Sequence, residues 1–324
     1  MQNKIFNIQT QEDFKHVAFS VFKHQFENNK VYRSFCDLLY IHPSDIRTLE
    51  QIPFLPIQFF KTKKILSSSE EIDEIFTSSG TTGSIISKHY VTDIELYKES
   101  YLKGFAHFYE NIEDYVVLAL LPNYLERNGS SLVFMVDDLI IKSKNPESGF
   151  YLNNIDELAK KLINLDKKGQ KILLIGVSFA LLDLIEKHKF HLKNTIVMET
   201  GGMKGRRKEL VRDELHKLLQ NGFGVDAIHS EYGMTELLSQ GYSKGNGVFK
   251  TPSWMRILTR DTEDALSILP TGKAGGINVI DLANYNSCSF LATQDLGKVH
   301  QNGTFEIIGR FDNSDIRGCN LMVL

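Results

Sequence analysis

The sequence is poor in cysteine and lacks the cysteine and histidine patterns that are typical of metal sites. Its 324 residues contain three scattered cysteines, Cys36, Cys288 and Cys319, without a CxxC pair. Its ten histidines include no HExxH pair. These absences argue against a disulfide framework and against a structural zinc site. We therefore expect a cytoplasmic protein in which Cys36 and Cys288 are structural.

Long apolar runs and blocks of like charge are missing as well. No stretch reaches the roughly 18 uninterrupted apolar residues of a membrane-spanning helix, and no signal-like apolar run follows Lys4. The 37 basic and 40 acidic residues give a net charge of −3 without a long basic block. These absences predict no membrane span and no nucleic-acid partner. A small-molecule or protein substrate remains the expectation.

Hydrophobic residues make up 42% of the chain, enough for one large α/β domain or for two smaller domains. Apolar residues at three- and four-residue spacings over about residues 9–41 predict an amphipathic helical opening. Pro43, Pro53 and Pro56 then favour a strand-and-turn connection.

The middle of the chain alternates short apolar runs with amphipathic segments. The runs YVVLALL, LVFMVDDLII, KILLIGV and TIVMET predict strands, whereas NIDELAKKLINLDKKG, FALLDLIEKHKF and RRKELVRDELHKLLQNG predict helices. This alternation indicates an α/β fold with a mostly parallel sheet that helices cover on both faces. Gly222 is placed to end the third helix.

After about Gly241 the chain becomes rich in glycine, threonine and short apolar runs. This change predicts a small antiparallel sheet or barrel packed on the α/β part. The expected division is an α/β body over residues 1–240 and a β-rich subdomain over residues 241–324.

Five short motifs carry side chains suited to a nucleotide. The segment FTSSGTTGSIISK ends at Lys88 and offers hydroxyls and glycine N–H groups to phosphate oxygens, although it is not a Walker A loop. The segment ETGGMK follows a predicted strand, and HSEYGMTE combines an aromatic ring, a hydroxyl and a carboxylate. TQDLG and GRFD offer a carboxylate and a guanidinium to a ribose. Each motif alone would also fit an ordinary turn.

In this order the motifs resemble the adenylate-forming superfamily of acyl-CoA synthetases, luciferases and adenylation domains. More narrowly, TSSGTTG, TGGMKG, SEYGMTE, residues 122–127 (PNYLER) and the ending SDIRGCNLMVL resemble the LuxE acyl-protein synthetases, the activating component of a bacterial fatty-acid reductase. The resemblance covers roughly residues 55–324. It implies an adenylate-forming body with mostly parallel sheets and a small C-terminal β subdomain.

The resemblance also implies a set of nucleotide-binding residues for ATP and Mg²⁺. The Ser/Thr/Gly loop would hold the β- and γ-phosphates, Tyr232 would stack on adenine, Thr235 would touch the α-phosphate, and Glu236 would bind magnesium. Asp295 and Arg310 would hold the ribose. The remaining implied residues are Thr77, Ser78, Ser79, Gly80, Thr81, Thr82, Gly83, Gly201, Gly202 and Gly233.

Superfamily members commonly continue into a swivelling lid that carries a catalytic lysine, whereas this chain ends fourteen residues after Arg310. We therefore expect the lid to be absent and either Lys204 or Lys88 to meet the charge on the α-phosphorus. Cys319 is a candidate internal acyl acceptor, because LuxE enzymes carry the acyl group on a cysteine near the C-terminus. Coenzyme A or a partner reductase is the alternative acceptor.

The implied reaction is the activation of a fatty or other carboxylic acid to acyl-AMP, followed by transfer to a thiol. Tyr124 and His229 are the candidates for binding the acid.

Two alternative functions stay open. Gly176-Val-Ser178-Phe-Ala180 approximates the nucleophile elbow of a serine acyl-hydrolase or acyltransferase, with Asp226 or Asp264 and His229 or His300 as triad partners. A non-catalytic nucleotide- or acyl-binding homologue is the other.

Overall fold

A computed structural model describes residues 2–79, 85–122, 129–201 and 210–311. The described residues form nine α-helices, named in chain order: α1 Gln2–Ile5, α2 Gln11–Asn28, α3 Lys30–Leu38, α4 Phe59–Thr62, α5 Ile94–Tyr109, α6 Ser131–Lys142, α7 Ile155–Lys167, α8 Ser178–Lys187 and α9 Arg212–Phe223. The strands are β1 Leu55–Pro56, β2 Glu74–Thr77, β3 Lys88–Val91, β4 Val116–Leu120, β5 Gly149–Phe150, β6 Ile172–Val177, β7 Thr195–Thr200, β8 His229–Tyr232, β9 Gly241–Ser243, β10 Val248–Lys250, β11 Met255–Arg260, β12 Ala274–Asp281, β13 Phe290–Val299 and β14 Phe305–Arg310. Within these residues no helix is both long and apolar enough to cross a membrane.

The predicted parallel sheet is confirmed in the order β5-β4-β6-β7-β8. Every residue of β4 and β6 is buried, which explains why both strands read as continuous apolar runs. Side chains of β7 and β8 reach α5 and α6 on one face, and α8 and α9 on the other. The carboxyl ends of the parallel strands therefore meet at one edge between two helical layers.

The C-terminal strands are antiparallel, as predicted, but they continue the parallel sheet instead of forming a sheet of their own. β8 pairs with β9 in antiparallel register, and the sheet goes on through β10, β14, β13, β12 and β11. The short strand β1 adds to β13. One hydrogen-bonded sheet thus joins the two expected regions, and a division at residue 240 stays a prediction.

The prediction of a strand at LVFMVDDLII is wrong, because this segment is helix α6. Ser130 caps the helix by accepting a hydrogen bond from the N–H of Val133. Val133, Val136 and Leu139 are buried at three-residue steps, so the apolar residues form a helical stripe. The cap and the stripe overcome the β propensity of the run.

The prediction that Gly222 ends its helix is also wrong. Helix α9 ends at Phe223, and Gly224 adopts the left-handed conformation, with φ of 68°, that a helix C-cap requires. Gly222 lies inside the helix, where an added Cβ would come within 2.5 Å of Ile185. Gly222 therefore serves the close packing of α9 on α8.

Candidate active site

A cavity of about 160 Å³ lies at the carboxyl edge of the parallel sheet. Its lining combines residues from three of the predicted motifs with an apolar wall. The motif residues include Thr77, Ser79, Gly201, Gly233 and Thr235, and the wall is formed by Leu121, Pro122, Leu132, Val133, Met135 and Met234. This edge is where ligands bind in open α/β sheets.

The Ser/Thr/Gly loop grows out of a hairpin formed by β2 and β3. Thr77 and Lys88 are cross-strand partners at the last pair of the hairpin, so Lys88 lies beside the base of the loop. Ser78 and Ser87 then exchange two hydrogen bonds, of 3.1 and 2.9 Å. The N–H of Thr77 donates a 2.7 Å bond to the carbonyl of Gly129, which connects the loop base to the segment just before α6.

Gly201 is held in place from the face of the sheet opposite α5. The hydroxyl of Ser178, at the start of α8, lies 2.7 Å from the carbonyl oxygen of Gly201 and 3.3 Å from Oε2 of Glu199. Arg212 and His216 from α9 contact the other oxygen of Glu199 at 3.3 and 3.5 Å. This cluster, whose side chains are buried apart from that of Arg212, connects α8 and α9 to the turn that follows β7.

The same contacts bear on the hydrolase alternative. Ser178 does follow a strand and open a helix, as a nucleophile elbow requires. Its hydroxyl, however, is buried and lies against a carbonyl and a carboxylate, and none of its contacts within the described residues is with a histidine. His300 contacts Glu306 at 2.6 Å, and His229 contacts Tyr109. The arrangement therefore lacks the serine–histidine contact of a triad.

Tyr232, Asp295 and Arg310 come together although they belong to three different motifs. The hydroxyl of Tyr232 donates a 2.9 Å hydrogen bond to Oδ2 of Asp295, and Nε of Arg310 lies 3.2 Å from Oδ1. The ring of Tyr232 is buried and makes edge contacts with Phe249 and Phe305, which stack on each other. Arg310 stays largely exposed, so its guanidinium remains accessible.

Thr235 and Glu236 are fixed by their neighbours. His89 is fully buried, and burial lowers its pKa to about 4, so its neutral ring donates from Nδ1 to the carbonyl of Thr235 at 2.8 Å. Burial raises the pKa of Glu236, while a hydrogen bond from Ser87 and the positive charge of Arg310 act against that rise. Glu236 is therefore a buried carboxyl close to the base of the Ser/Thr/Gly loop.

Glu231 is a cavity residue that the sequence analysis missed. It lines the cavity beside Gly233, and Thr200 donates a 2.5 Å hydrogen bond to its Oε2. Burial raises its pKa to about 7, and the neighbouring Glu199 adds to the rise. Its position immediately before Tyr232 in SEYGMTE was the signal that could have identified it.

His229 lies away from the cavity lining. Its Nδ1 is 3.1 Å from the hydroxyl of Tyr109, and burial lowers its pKa to about 4. The other predicted site residues fall outside the described part of the chain. They are Gly80, Thr81, Thr82, Gly83, Tyr124, Gly202, Lys204 and Cys319.

The family of the chain is decided by a match over nearly its whole length. A model of the family described as "Acyl-protein synthetase, LuxE" matches residues 5–115 and 130–324. The chain belongs to the LuxE acyl-protein synthetase family. As a LuxE acyl-protein synthetase it is an enzyme, a ligase that activates an acyl group with ATP and transfers it to a thiol.

Curated relatives agree with the LuxE assignment. The chain is 24% identical to a long-chain-fatty-acid–luciferin-component ligase of Vibrio harveyi, over 93% of this chain and 84% of the relative. A ligase of the same name from Aliivibrio fischeri is also 24% identical, over 93% and 85% of the two chains.

Solved structures show the same fold. A 2-hydroxyisobutyryl-CoA ligase bound to its acyl-AMP superposes with a TM-score of 0.68 at 12% identity, over 93% of this chain and 68% of that chain. ATP-bound MatB from Rhodopseudomonas palustris superposes with a TM-score of 0.54 at 19% identity, over 75% of this chain. The match spans about half (49%) of the length of MatB. The adenylate-forming fold that the motifs implied is therefore confirmed.

Proposed function

We propose that the protein converts a fatty acid and ATP into acyl-AMP and pyrophosphate, and then into a thioester on Cys319. In the first step a carboxylate oxygen of the acid attacks the α-phosphorus and pyrophosphate leaves. In the second step the Cys319 thiolate attacks the acyl carbonyl and AMP leaves. ATP is required because a carboxylate is a poor electrophile, whereas AMP is a competent leaving group.

The observation that carries this proposal is the composition of the cavity. Hydroxyl and backbone groups of Thr77, Ser79, Gly201 and Thr235 line it together with the apolar wall. The polar groups suit phosphate oxygens, and the wall suits an alkyl chain. A site that joins both surfaces matches the two halves of an acyl-adenylate.

The nucleotide would extend from this cavity toward Asp295. Asp295 carries a negative charge next to the exposed Arg310, and the pair can accept from and donate to the ribose hydroxyls. Tyr232 is anchored by Asp295, and its ring is proposed to stack on the adenine.

Magnesium fits the chemistry of Glu236. The side chain is a buried carboxyl with the Ser87 hydroxyl as a neighbour, and burial raises its pKa although the positive charges of Arg310 and Lys61 oppose the rise. Oxygen donors of this kind are those that Mg²⁺ prefers. When bound, the ion would neutralise charge on the phosphates. Lys88 and Lys204 are the proposed cations for the α-phosphate.

The partner of the reaction is proposed to be a reductase protein that receives the acyl group after Cys319. The curated relatives are named for a luciferin component, which supports a protein rather than coenzyme A as the acceptor. Because the transfer occurs at a thioester, the partner would need access to the Cys319 segment.

Acid-dependent exchange of labelled pyrophosphate into ATP tests the proposal. Purified protein is incubated with Mg-ATP, labelled pyrophosphate and a panel of saturated acids of increasing length. Exchange that requires both an acid and magnesium is expected. Exchange with none of the acids would contradict the adenylation step and would favour a non-catalytic binding homologue.

A further inference from the structure

Glu231 occupies an unusual electrostatic position in the cavity. Among the described lining residues it is the only carboxyl, and its hydrogen-bond partner is the neutral hydroxyl of Thr200. Within the described residues no cation contacts it. Arg212 and His216 of α9 contact Glu199, whose side chain lies on the opposite face of the sheet.

Among the described groups that line the cavity, Glu231 is the one expected to titrate near neutral pH. Burial raises the pKa of Glu231 to about 7, the Thr200 hydroxyl acts against this rise, and the negative charge of Glu199 on β7 adds to it. Tyr97 from α5 and Tyr242 from β9 also face it, and burial raises the pKa of both phenols well above the ordinary value. Both tyrosines therefore stay neutral over the physiological range.

A second buried carboxyl, Asp281, lies near Tyr97, but its environment differs. It accepts hydrogen bonds from the N–H groups of Leu238 and Ser239 and from the Ser239 hydroxyl, with burial raising its pKa to about 6. It does not line the cavity. Titration of Asp281 is therefore not expected to change the charge that a bound acid meets directly.

We propose that Glu231 is a substrate-binding residue, and that the cavity binds the ionised acid only when the Glu231 side chain is protonated and neutral. This inference rests on the proposed function, in which the cavity must hold the carboxylate of the acid close to the α-phosphate. A third negative charge in the same low-dielectric space would repel both. A neutral carboxyl instead offers an O–H donor to the incoming carboxylate.

The proposal predicts a one-proton dependence of acid binding. The acid is ionised throughout the range, so its affinity depends on the fraction of enzyme with neutral Glu231. The dissociation constant should be level below pH 7 and should rise about tenfold per pH unit well above it, or about 30-fold between pH 6 and pH 8.5.

The test uses decanoic acid as the probe. Its KM in pyrophosphate exchange at saturating Mg-ATP, and its Kd by calorimetry, are measured from pH 6 to pH 8.5 for the unmodified chain and for Glu231→Gln. The amide is neutral at every pH, so the variant should show a level profile. A purely structural role for Glu231 would change stability but would not remove the pH dependence.

Thr200→Val supplies a second, directional test that does not alter Glu231. The isosteric change removes the hydroxyl that stabilises the carboxylate, so the inflection in Kd should move to higher pH. A level profile in the unmodified chain, a persistent rise in Glu231→Gln, or an unmoved inflection in Thr200→Val would each overturn the inference. Acid binding that follows the expected profile without any exchange would instead contradict the proposed function alone.

Discussion

The Tyr232 hydroxyl donates a 2.9 Å hydrogen bond to Asp295, and this bond connects the end of β8 to β13, 63 residues later in the chain. Asp295 also pairs with Arg310 at 3.2 Å on the neighbouring strand β14. One carboxylate thus ties together three of the motifs from which the nucleotide site was predicted. The position of the ribose site depends on a contact between strands that are distant in sequence.

Asp295→Asn should weaken ATP binding without unfolding the protein. The amide keeps the shape of the side chain but loses the charge that holds both Tyr232 and Arg310, so we expect the Kd for ATP to rise about tenfold or more. Calorimetric titration with Mg-ATP measures the change. Tyr232→Phe, which removes one neutral donor and leaves the ion pair, should have a smaller effect. Equal ATP affinity in Asp295→Asn and the unmodified chain would contradict the ribose assignment.

Glu236→Gln should abolish magnesium-dependent pyrophosphate exchange. The change is isosteric and removes the charge proposed to hold the metal, so exchange should fall by about 100-fold or more while the circular dichroism spectrum is unchanged. Glu147→Gln is the matched control, because Glu147 pairs with Lys161 at the surface, outside the cavity lining. Retained exchange in Glu236→Gln would remove this residue from the metal site.

Cys319→Ser should eliminate a covalent acyl adduct. After incubation with decanoic acid and Mg-ATP, intact-mass measurement should show one adduct that hydroxylamine removes, since thioesters are labile to it. Cys36 and Cys288 should not be labelled, because both are buried and burial raises the pKa of their thiols, to about 12 for Cys36.

Cys36→Ala is the corresponding control and should retain the adduct. An adduct that persists in Cys319→Ser would contradict the internal acceptor. Formation of acyl-AMP without any protein adduct would point to an external thiol.

His89 should make the protein less stable in mild acid. Its pKa is about 4 in the folded state against an ordinary value of 6.5, so the unfolded chain binds more protons between these values and stability falls as the pH falls. Between pH 7 and pH 5 the loss is about 2 kcal/mol. Glu231 and Asp281 have raised pKa values and act in the opposite direction, so the contribution is best measured as a difference.

The measurement compares urea unfolding of the unmodified chain with that of His89→Leu at pH 7 and pH 5. The variant should lose about 2 kcal/mol less on acidification, whatever its absolute stability. An identical pH dependence in both proteins would show that His89 is not held neutral in the fold.

The local sequence pattern was sufficient to predict the secondary structure of segments whose structure depends mainly on their own residues. The buried runs of β4 and β6, the mostly buried run of β7 and the amphipathic helices α7 and α8 were predictable, because burial on both faces and helical periodicity produce recognisable patterns in the sequence itself. The family was likewise predictable from ordered motifs. Helix α6 was not, because its apolar residues satisfied both a strand and a helix pattern, and the cap at Ser130 decided between them.

The sequence by itself determined the α/β class, the parallel core and the family to which the chemistry belongs. Only the tertiary structure decided that Tyr232 meets Asp295, that Gly222 is needed for packing against Ile185, and that the C-terminal strands extend the same sheet. It also decided that Glu231 lies in the cavity with Thr200 as its partner. These features are contacts between segments that are distant in sequence. The charge state of a buried carboxyl depends on neighbours that cannot be identified from a local sequence pattern.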